Sequence, residues 1–424
     1  MSGEVARRRV GVVLTGAGLV ALSGPGQTAG FSVFVDPVSS ALGVGRSTLS
    51  LAYLIGTLAA STTGAWLGRL FDRRSSTTVV TGVATALAVS LLVAAVAPHI
   101  AVLVIAIYGL RSFGQTGMTL SASLSVARLV TIGRGRALGL LTAIGGSAIA
   151  LTPLAANWLI DAVGYRAAWV VLAGVVAVFG TLLAIRLGRL ERATADADDG
   201  AADLGSEIVD PSQLLAVDPA PALGRNGYWL IVTAFSTSGF VATALAFHQV
   251  AILGERGLDA GAAAANFLPQ SLAAATIALL VGRRIDRLPG RWAIVAAMSL
   301  LCLATCTVAL VGSPPTAVLF GVMLGSAASA TAASEGTLMV RWIGTATLGA
   351  RRGRMMSITV VGTALAPLGF TLLADAVGSF TRAALLLGVV PFGVAVAAAV
   401  LPLPAETRAG APDEALVDGS PSAR

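Results

Sequence analysis

Two short motifs recur in this chain at one fixed offset. Gly68-Arg69-Leu70-Phe71-Asp72-Arg73 and Gly282-Arg283-Arg284-Ile285-Asp286-Arg287 share four identities 214 positions apart. The same offset relates Asp161-Ala162-Val163-Gly164 to Asp375-Ala376-Val377-Gly378, Pro153 to Pro367, and Gly135 and Gly139 to Gly349 and Gly353. A register held over so many positions marks a duplicated unit, and each copy contains six long uncharged stretches. Parallel repeats of membrane helices facing each other across a shared centre leave room for a solute pathway between them.

With 56% hydrophobic and 12% charged residues, the chain lacks the polar surface of a soluble domain, which carries about 25% charge. The bilayer is the expected solvent. A membrane helix needs roughly 20 apolar residues, and the runs 10–35, 47–68, 137–160, 167–185, 226–254, 260–282, 355–374 and 383–405 reach about that length. The stretch 75–110 divides at Pro98-His99, and 292–334 divides at Gly312-Ser313-Pro314-Pro315. The expectation is an all-α membrane protein with twelve transmembrane helices in two pseudo-symmetric six-helix bundles. Residues 1–190 form the first bundle and 226–405 the second. Between them, 191–225 carries eight acids and few large apolar side chains, reading as a cytoplasmic linker with a short helix near Ile208 to Leu215. Residues 406–424 read as a disordered tail.

Arginine sets the orientation, since cytoplasmic loops hold the excess of positive charge. The chain has no lysine. Of its 28 Arg, placing both termini in the cytoplasm leaves Arg46, Arg166, Arg256 and Arg382 outside, Arg111 within a span, and the remaining 23 inside. The predicted location is the cytoplasmic (inner) membrane, crossed many times. Arg7-Arg8-Arg9 before an apolar run also fits a cleavable signal, but cleavage would leave eleven spans and break the repeat. The net charge of +7 follows from topology and contact with anionic lipid, so no nucleic acid is expected. Without lysine there is no phosphate-binding loop of an ATP pump. Two isolated histidines, His99 and His248, supply no metalloprotease motif, and Cys302 and Cys306 read as small buried side chains on one helix face. The chain is therefore expected to be no enzyme, with no cofactor and no metal.

Polar groups inside the spans are the functional candidates. Arg111, in the middle of the fourth span, costs about 2.5 to 3.5 kcal/mol to insert, so something must compensate it: a solute or titrating carboxylate on one reading, helix carbonyls on the other. Gln115 follows one turn later. Glu335, in the tenth span, reads as a proton carrier or as half of a gate with Arg341 or Arg128. The repeat aligns Arg111 with Gly325, ten residues from Glu335, about 15 Å along a helix, which argues against a direct pair. His248 near the outer end of the seventh span reads as a proton-coupling group or an interfacial side chain. The first span contains Gly24-Pro25-Gly26-Gln27-Thr28-Ala29-Gly30, where proline removes a ladder bond. A break there would be tolerated only against protein or a watery cavity, so Gln27 is a candidate wall residue, with a packing kink as the alternative. Gly139, Gly145 and Gly146 read as helix-packing residues. The repeated loops supply the gating candidates Gly68, Asp72 and Arg73, and Gly282, Asp286 and Arg287.

At these loops the chain resembles the major facilitator superfamily, whose signature after the second span reads Gly-x-Leu-Ala-Asp-Arg-x-Gly-Arg-Arg. Gly68, Leu70, Asp72 and Arg73 match, whereas Ser75-Ser76 replaces the later Gly-Arg. Arg111-Ser112-Phe113-Gly114-Gln115, Gly135-Arg136-Ala137-Leu138-Gly139, Gly164-Tyr165-Arg166-Ala167-Ala168-Trp169 and Phe31-Ser32-Val33-Phe34-Val35-Asp36-Pro37 resemble the branch with monocarboxylate and oxalate:formate transporters. The resemblance implies spans 1, 4, 7 and 10 around a central cavity and alternating access by rocking. Basic residues that anion carriers of that branch place in the eighth or eleventh span are missing from 260–282 and 355–374. Two functions remain open: secondary active movement of a small organic solute such as a carboxylate, driven by protons or a solute gradient, and proton-driven export of drugs or secondary metabolites. The expected partners are a small-molecule substrate, protons and the lipid bilayer, and the expected state is a monomer.

Overall fold

The computed structural model describes residues 3–130, 134–202, 225–285, 289–343 and 348–401, and every regular element among them is helical. The first half runs α1 (Gly3–Leu22), a 3₁₀ turn (Gly24–Gly26), α2 (Thr28–Ser32), α3 (Val35–Leu42), α4 (Arg46–Ala60), α5 (Thr63–Arg73), α6 (Ser76–Val96), α7 (Ile100–Gly109), a π-helix (Leu110–Met118), α8 (Thr119–Leu129), α9 (Arg134–Ile149) and α10 (Leu151–Ala202). The second runs α11 (Arg225–Phe247), α12 (Gln249–Glu255), α13 (Ala260–Ala265), α14 (Phe267–Ile285), α15 (Gly290–Thr307), α16 (Pro314–Ile343), α17 (Leu348–Val377), α18 (Phe380–Leu387) and α19 (Val389–Val400).

Among the described residues, eight helices are long and apolar enough to cross a membrane. That is fewer than the twelve uncharged stretches, and each difference has a local cause. The fifth and sixth stretches join through Gly164, whose φ of 80° and ψ of 158° turn the chain inside α10. The first stretch breaks at Gly24–Gly26. In the second, the hydroxyls of Ser61 and Thr62 donate back to Leu58 O at 2.7 Å and Ala59 O at 3.2 Å, which bends a helix. The eighth is interrupted at Asn266, between α13 and α14. Helix α10 continues to Ala202, past the expected boundary at 190. The expected helix near Ile208 to Leu215 and the tail 406–424 lie outside the described residues.

Buried apolar side chains form two clusters. One draws on residues 12–187, joined by Phe247 and Ala264, and the other on residues 228–398. Trp169 anchors the first, fully buried and stacked on Phe34 with ring centroids 3.5 Å apart. In lipid, helices associate by close contact more than by water expulsion. Gly145 meets that need: a Cβ there would lie 2.6 Å from Val20 Cβ. Gly139 and Gly146 do not, since each has open space at that position. Cys302 is half-buried but Cys306 is exposed, so the pair does not share a buried face.

The halves meet at the end where the chain turns at Gly43. That glycine takes the left-handed φ of 62°, and its N–H caps the carbonyls of Ser39 and Ser40. Beyond it, Arg46 ion-pairs with Asp36 and lies over the Phe380 ring, 5.0 Å from its centroid. Ser47 Oγ donates to Asp375 Oδ2 at 3.4 Å, and Ser50 Oγ and Thr371 Oγ1 share a hydrogen bond of 3.0 Å. Phe380 is itself fixed by Glu255, whose carboxylate accepts from Phe380 N (2.7 Å), Thr381 N (2.8 Å) and Ser379 Oγ (2.8 Å). Partial burial pushes the Glu255 carboxyl up, but the donors from Thr381, Phe380 and Ser379 outweigh it and hold it below its ordinary value. An acid at the start of α18 also suits the helix dipole.

Candidate functional site

Pro25 has no N–H to continue the α1 ladder, and the chain passes through a 3₁₀ turn into Gln27, which is extended with φ −79° and ψ 154°. The break is real, and it frees backbone carbonyls inside the fold. Facing it is the π-helix of the fourth stretch, a wide-turn geometry common at functional sites. The two irregular segments touch backbone to backbone. A Cβ on Gly26 would lie 2.2 Å from Leu110 O, and one on Gly114 would lie 2.8 Å from Gly26 Cα.

Arg111 leaves this π-helix and is 6% exposed. Its Nη1 donates to Gly26 O and to Thr28 Oγ1, each at 3.3 Å. The guanidinium also lies over the Tyr53 ring at 5.1 Å from the centroid, and Tyr53 OH shares a 2.9 Å hydrogen bond with Thr28 Oγ1. A hydrogen bond from a charged donor contributes about 1.5 to 3 kcal/mol and a cation–π contact about 0.5 to 2. Together they match the insertion cost without an acidic partner. These contacts grip the residues on either side of Gln27, so Arg111 sets how Gln27 is presented.

Gln27 and Gln115 line one open cavity of about 480 Å³ with Thr116, Thr119, Leu120 and Ser123. Gln27 Nε2 donates to Ser23 Oγ at 2.9 Å. Gln115 Oε1 is buried with no hydrogen-bond partner, an acceptor left over in the wall. Between this region and the Gly43 end stands an aromatic lid. Phe31, Tyr53 and Phe247 pack with centroid separations of 5.4, 6.0 and 4.7 Å.

His248 is 1% exposed and sits at the interruption between α11 and α12, among Phe247, Phe370 and Phe380. Sequence placed it near the outer end of the seventh span, and there these rings enclose it. Its Nε2 lies 3.0 Å from Pro367 O and 3.1 Å from Thr371 Oγ1, so Nε2 carries a proton toward the carbonyl. Through Thr371 the ring is linked to Ser50 across the halves.

Glu335 is 7% exposed and borders a narrow cavity of about 10 Å³ with Ile231, Phe235, Ile294, Met298 and Ser334. Its neighbours stand on α11, α15 and α16, away from the Gln27 and Gln115 wall. Arg128, one of its suggested gate partners, is engaged elsewhere. Arg128 Nη2 donates to Asp72 Oδ1 at 3.0 Å and Nη1 to Phe71 O at 3.1 Å. Arg73 is exposed, and Gly68 has no atom within 4 Å of a built Cβ, so close packing is not its role in this conformation. Gly282 lies in α14; Asp286 and Arg287 fall outside the described residues.

Sequence reading overlooked Thr28, Tyr53, Ser50 and Thr371. Thr28 had a signal, following the predicted break directly. The other three owe their place to helix crossings that no local pattern displays.

A buried cation clasped by a broken helix, in an all-helical chain with eight helices among its described residues long and apolar enough to cross a membrane, defines a membrane-embedded protein. The sequence profile of the Major Facilitator Superfamily matches residues 16–269, and the chain belongs to that superfamily of transporters. In fold it is similar to a bacterial homolog of the human lysosomal transporter Spinster, in an inward-facing and unoccupied conformation, with TM-score 0.66 at 15% identity over 93% of this chain and 95% of the other. It is also similar to a point mutant of the nucleoside transporter NupG, with TM-score 0.71 at 15% identity over 92% of this chain and 99% of that one. No curated protein sequence matches the chain.

Proposed function

We propose that this chain is a secondary active transporter moving a small polar organic solute, a carboxylate first among candidates, across the cytoplasmic membrane by alternating access. Twelve crossings in two six-helix halves, both termini in the cytoplasm and a monomeric state complete the reading. A proton or solute gradient drives it. The carrying observation is the cavity wall of Gln27, Gln115, Thr116, Thr119 and Ser123, which holds no acid and stands beside the Arg111 guanidinium. Such a wall offers amide groups, hydroxyl oxygens and a positive field but no negative charge, favouring neutral-polar or anionic solutes over lipophilic cations. Gln27 and Gln115 contact the solute; Arg111 positions Gln27 and supplies the field. With the arginine-rich end inside, the aromatic lid and the Ser50–Thr371–His248 chain close the outer face, and Asp72 with Arg128 belongs to the inner gate.

The drug-export reading needs an acid in a roomy cavity. Glu335 borders space for about one water, so solute uptake or exchange is preferred. The test is thermal unfolding of the purified protein against small carboxylates, neutral metabolites and lipophilic cations. A ligand at 100 times its Kd adds about 2.7 kcal/mol. A carboxylate shift lost in both Gln115→Ala and Arg111→Gln supports the proposal. A lipophilic-cation shift that survives both variants overturns it in favour of export.

A further inference from the structure

Helices α1 and α9 pack closely along a buried seam and leave a groove on its exposed side. At the crossing, a Cβ on Gly16 would lie 3.0 Å from Leu141 Cδ1, and one on Gly145 would lie 2.6 Å from Val20 Cβ. Toward the chain terminus the helices leave an open groove of about 460 Å³ lined by Val10, Leu14, Leu140 and Ile144, with Arg9 among its walls. The four apolar residues are 58%, 48%, 46% and 42% exposed. From Gly16 back to Arg9 is about 10 Å of helix at 1.5 Å per residue, deep enough for much of an acyl chain.

The opposite face of α1 is already occupied. Arg8 Nη1 donates to Ala193 O at 2.6 Å, and a Cβ on Gly11 would touch Leu190 Cδ2 at 3.7 Å. Consecutive arginines thus serve different surfaces, Arg8 joining α10 and Arg9 facing the groove. An apolar slot with a cation at its terminal end complements an amphipath whose chain is apolar and whose head is an anion. On the orientation expected from the arginine distribution, Arg9 falls at the cytoplasmic end of the first span, the level at which basic side chains meet anionic lipid.

We infer that this groove binds the acyl chain of an anionic phospholipid whose phosphate rests on Arg9. None of its wall residues lines the Gln27 and Gln115 cavity, so the site is separate from the solute site and does not depend on its assignment. A lipid seated there covers the exposed side of the seam between the two helices, over Val13 and Ala137.

The experiment titrates the delipidated full chain, in an uncharged detergent, with dioctanoyl phosphatidylglycerol, dioctanoyl phosphatidylcholine or inorganic phosphate, and reads the unfolding midpoint. Phosphatidylglycerol raises the midpoint at the lowest concentration, phosphatidylcholine needs more, and phosphate alone does nothing. Arg9→Gln weakens the phosphatidylglycerol response about fivefold, the usual worth of a basic residue at an anionic surface. Arg7→Gln, an equal charge loss outside the groove, leaves it unchanged. Leu140→Trp and Ile144→Trp each fill the slot and remove the response to both lipids, every variant being compared with its own lipid-free midpoint. Equal responses in Arg9→Gln and Arg7→Gln would reduce the effect to diffuse charge. A full shift from phosphate alone would make it a free-anion site, and wild-type lipid responses in both tryptophan variants would remove the groove. Any of the three overturns the inference.

Discussion

Gly26→Ala tests the crossing on which the proposed solute site rests. Its Cβ would meet Leu110 O at 2.2 Å, Gly114 Cα at 2.7 Å and Gln115 N at 2.9 Å. All three are backbone atoms that cannot rotate aside. Normal contact distances then require the broken helix and the π-helix to separate by about 1 Å. Both Arg111 hydrogen bonds are already 3.3 Å long, near the limit for such bonds, so a shift of that size breaks them. Overpacking costs about 1 to 3 kcal/mol, and loss of hydrogen bonds from a charged donor about 1.5 to 3. The expected destabilisation is about 3 to 6 kcal/mol, read by thermal or denaturant unfolding in detergent. Gly114→Ala strains the same interface, its Cβ lying 2.8 Å from Gly26 Cα, and should behave alike. Gly139→Ala, with nothing within 4 Å, should not destabilise the protein and gains up to about 1 kcal/mol of helix propensity. A Gly26→Ala protein as stable as the Gly139→Ala control would refute the close crossing and, with it, the role of Arg111 in presenting Gln27.

Other outcomes follow from the remaining contacts. Thr371→Val removes a neutral hydrogen bond between the halves, worth about 1 kcal/mol, and should raise the population open at the Gly43 end about fivefold; spin-label distances across that end that do not move would dismiss the lock. Asp72→Asn breaks a pair whose side chains are 39% and 74% exposed, so stability should change by under about 1 kcal/mol while turnover slows, and an unaltered turnover removes the gate assignment. Glu255 is held below its ordinary value, so its contribution is complete above the ordinary carboxylate pKa of about 4.3 and fades as pH falls through the lowered native value. Glu255→Gln should therefore flatten the acid side of the stability profile, and parallel profiles for both proteins would show that the α18 cap contributes nothing.

The lipid-soluble, all-helical character was legible because apolar runs and their breaks are local properties of a chain. So was the interruption of the first stretch, since a proline between glycines removes a ladder bond wherever it sits. The partner of Arg111 was less legible. Its insertion cost announced some compensation, but the carbonyl that accepts its proton belongs to Gly26, 85 positions away, and backbone acceptors leave no mark in a sequence. The burial of His248 was hidden for a related reason, since the rings of Phe370 and Phe380 that enclose it lie more than 120 positions away.

The 214-residue repeat shows where the two halves diverge. Adding the offset to Arg111 gives Gly325, and a Cβ there would lie 1.9 Å from Gln270 O. The position that holds a cation in the first copy is spent on helix contact in the second. Nearby positions show the same exchange. In the first copy, Gly56 is the small partner, its Cβ meeting Ile107 Cγ2 at 2.7 Å. The equivalents of Gly56 and Ile107 are Gln270 and Gly321, so the glycine has moved to the other helix, where it meets Asn266 Oδ1 at 2.6 Å. Backbones can approach when either helix supplies the small residue, so the crossing survives while its chemistry inverts. In the first copy the corresponding segment is the π-helix that carries Arg111 and Gln115 and makes its own close contact through Gly114 and Gly26. Under the transport proposal, a solute held by Gln27 and Gln115 would be anchored on one half, with Phe247, His248 and Thr371 supplying the facing contacts of the other.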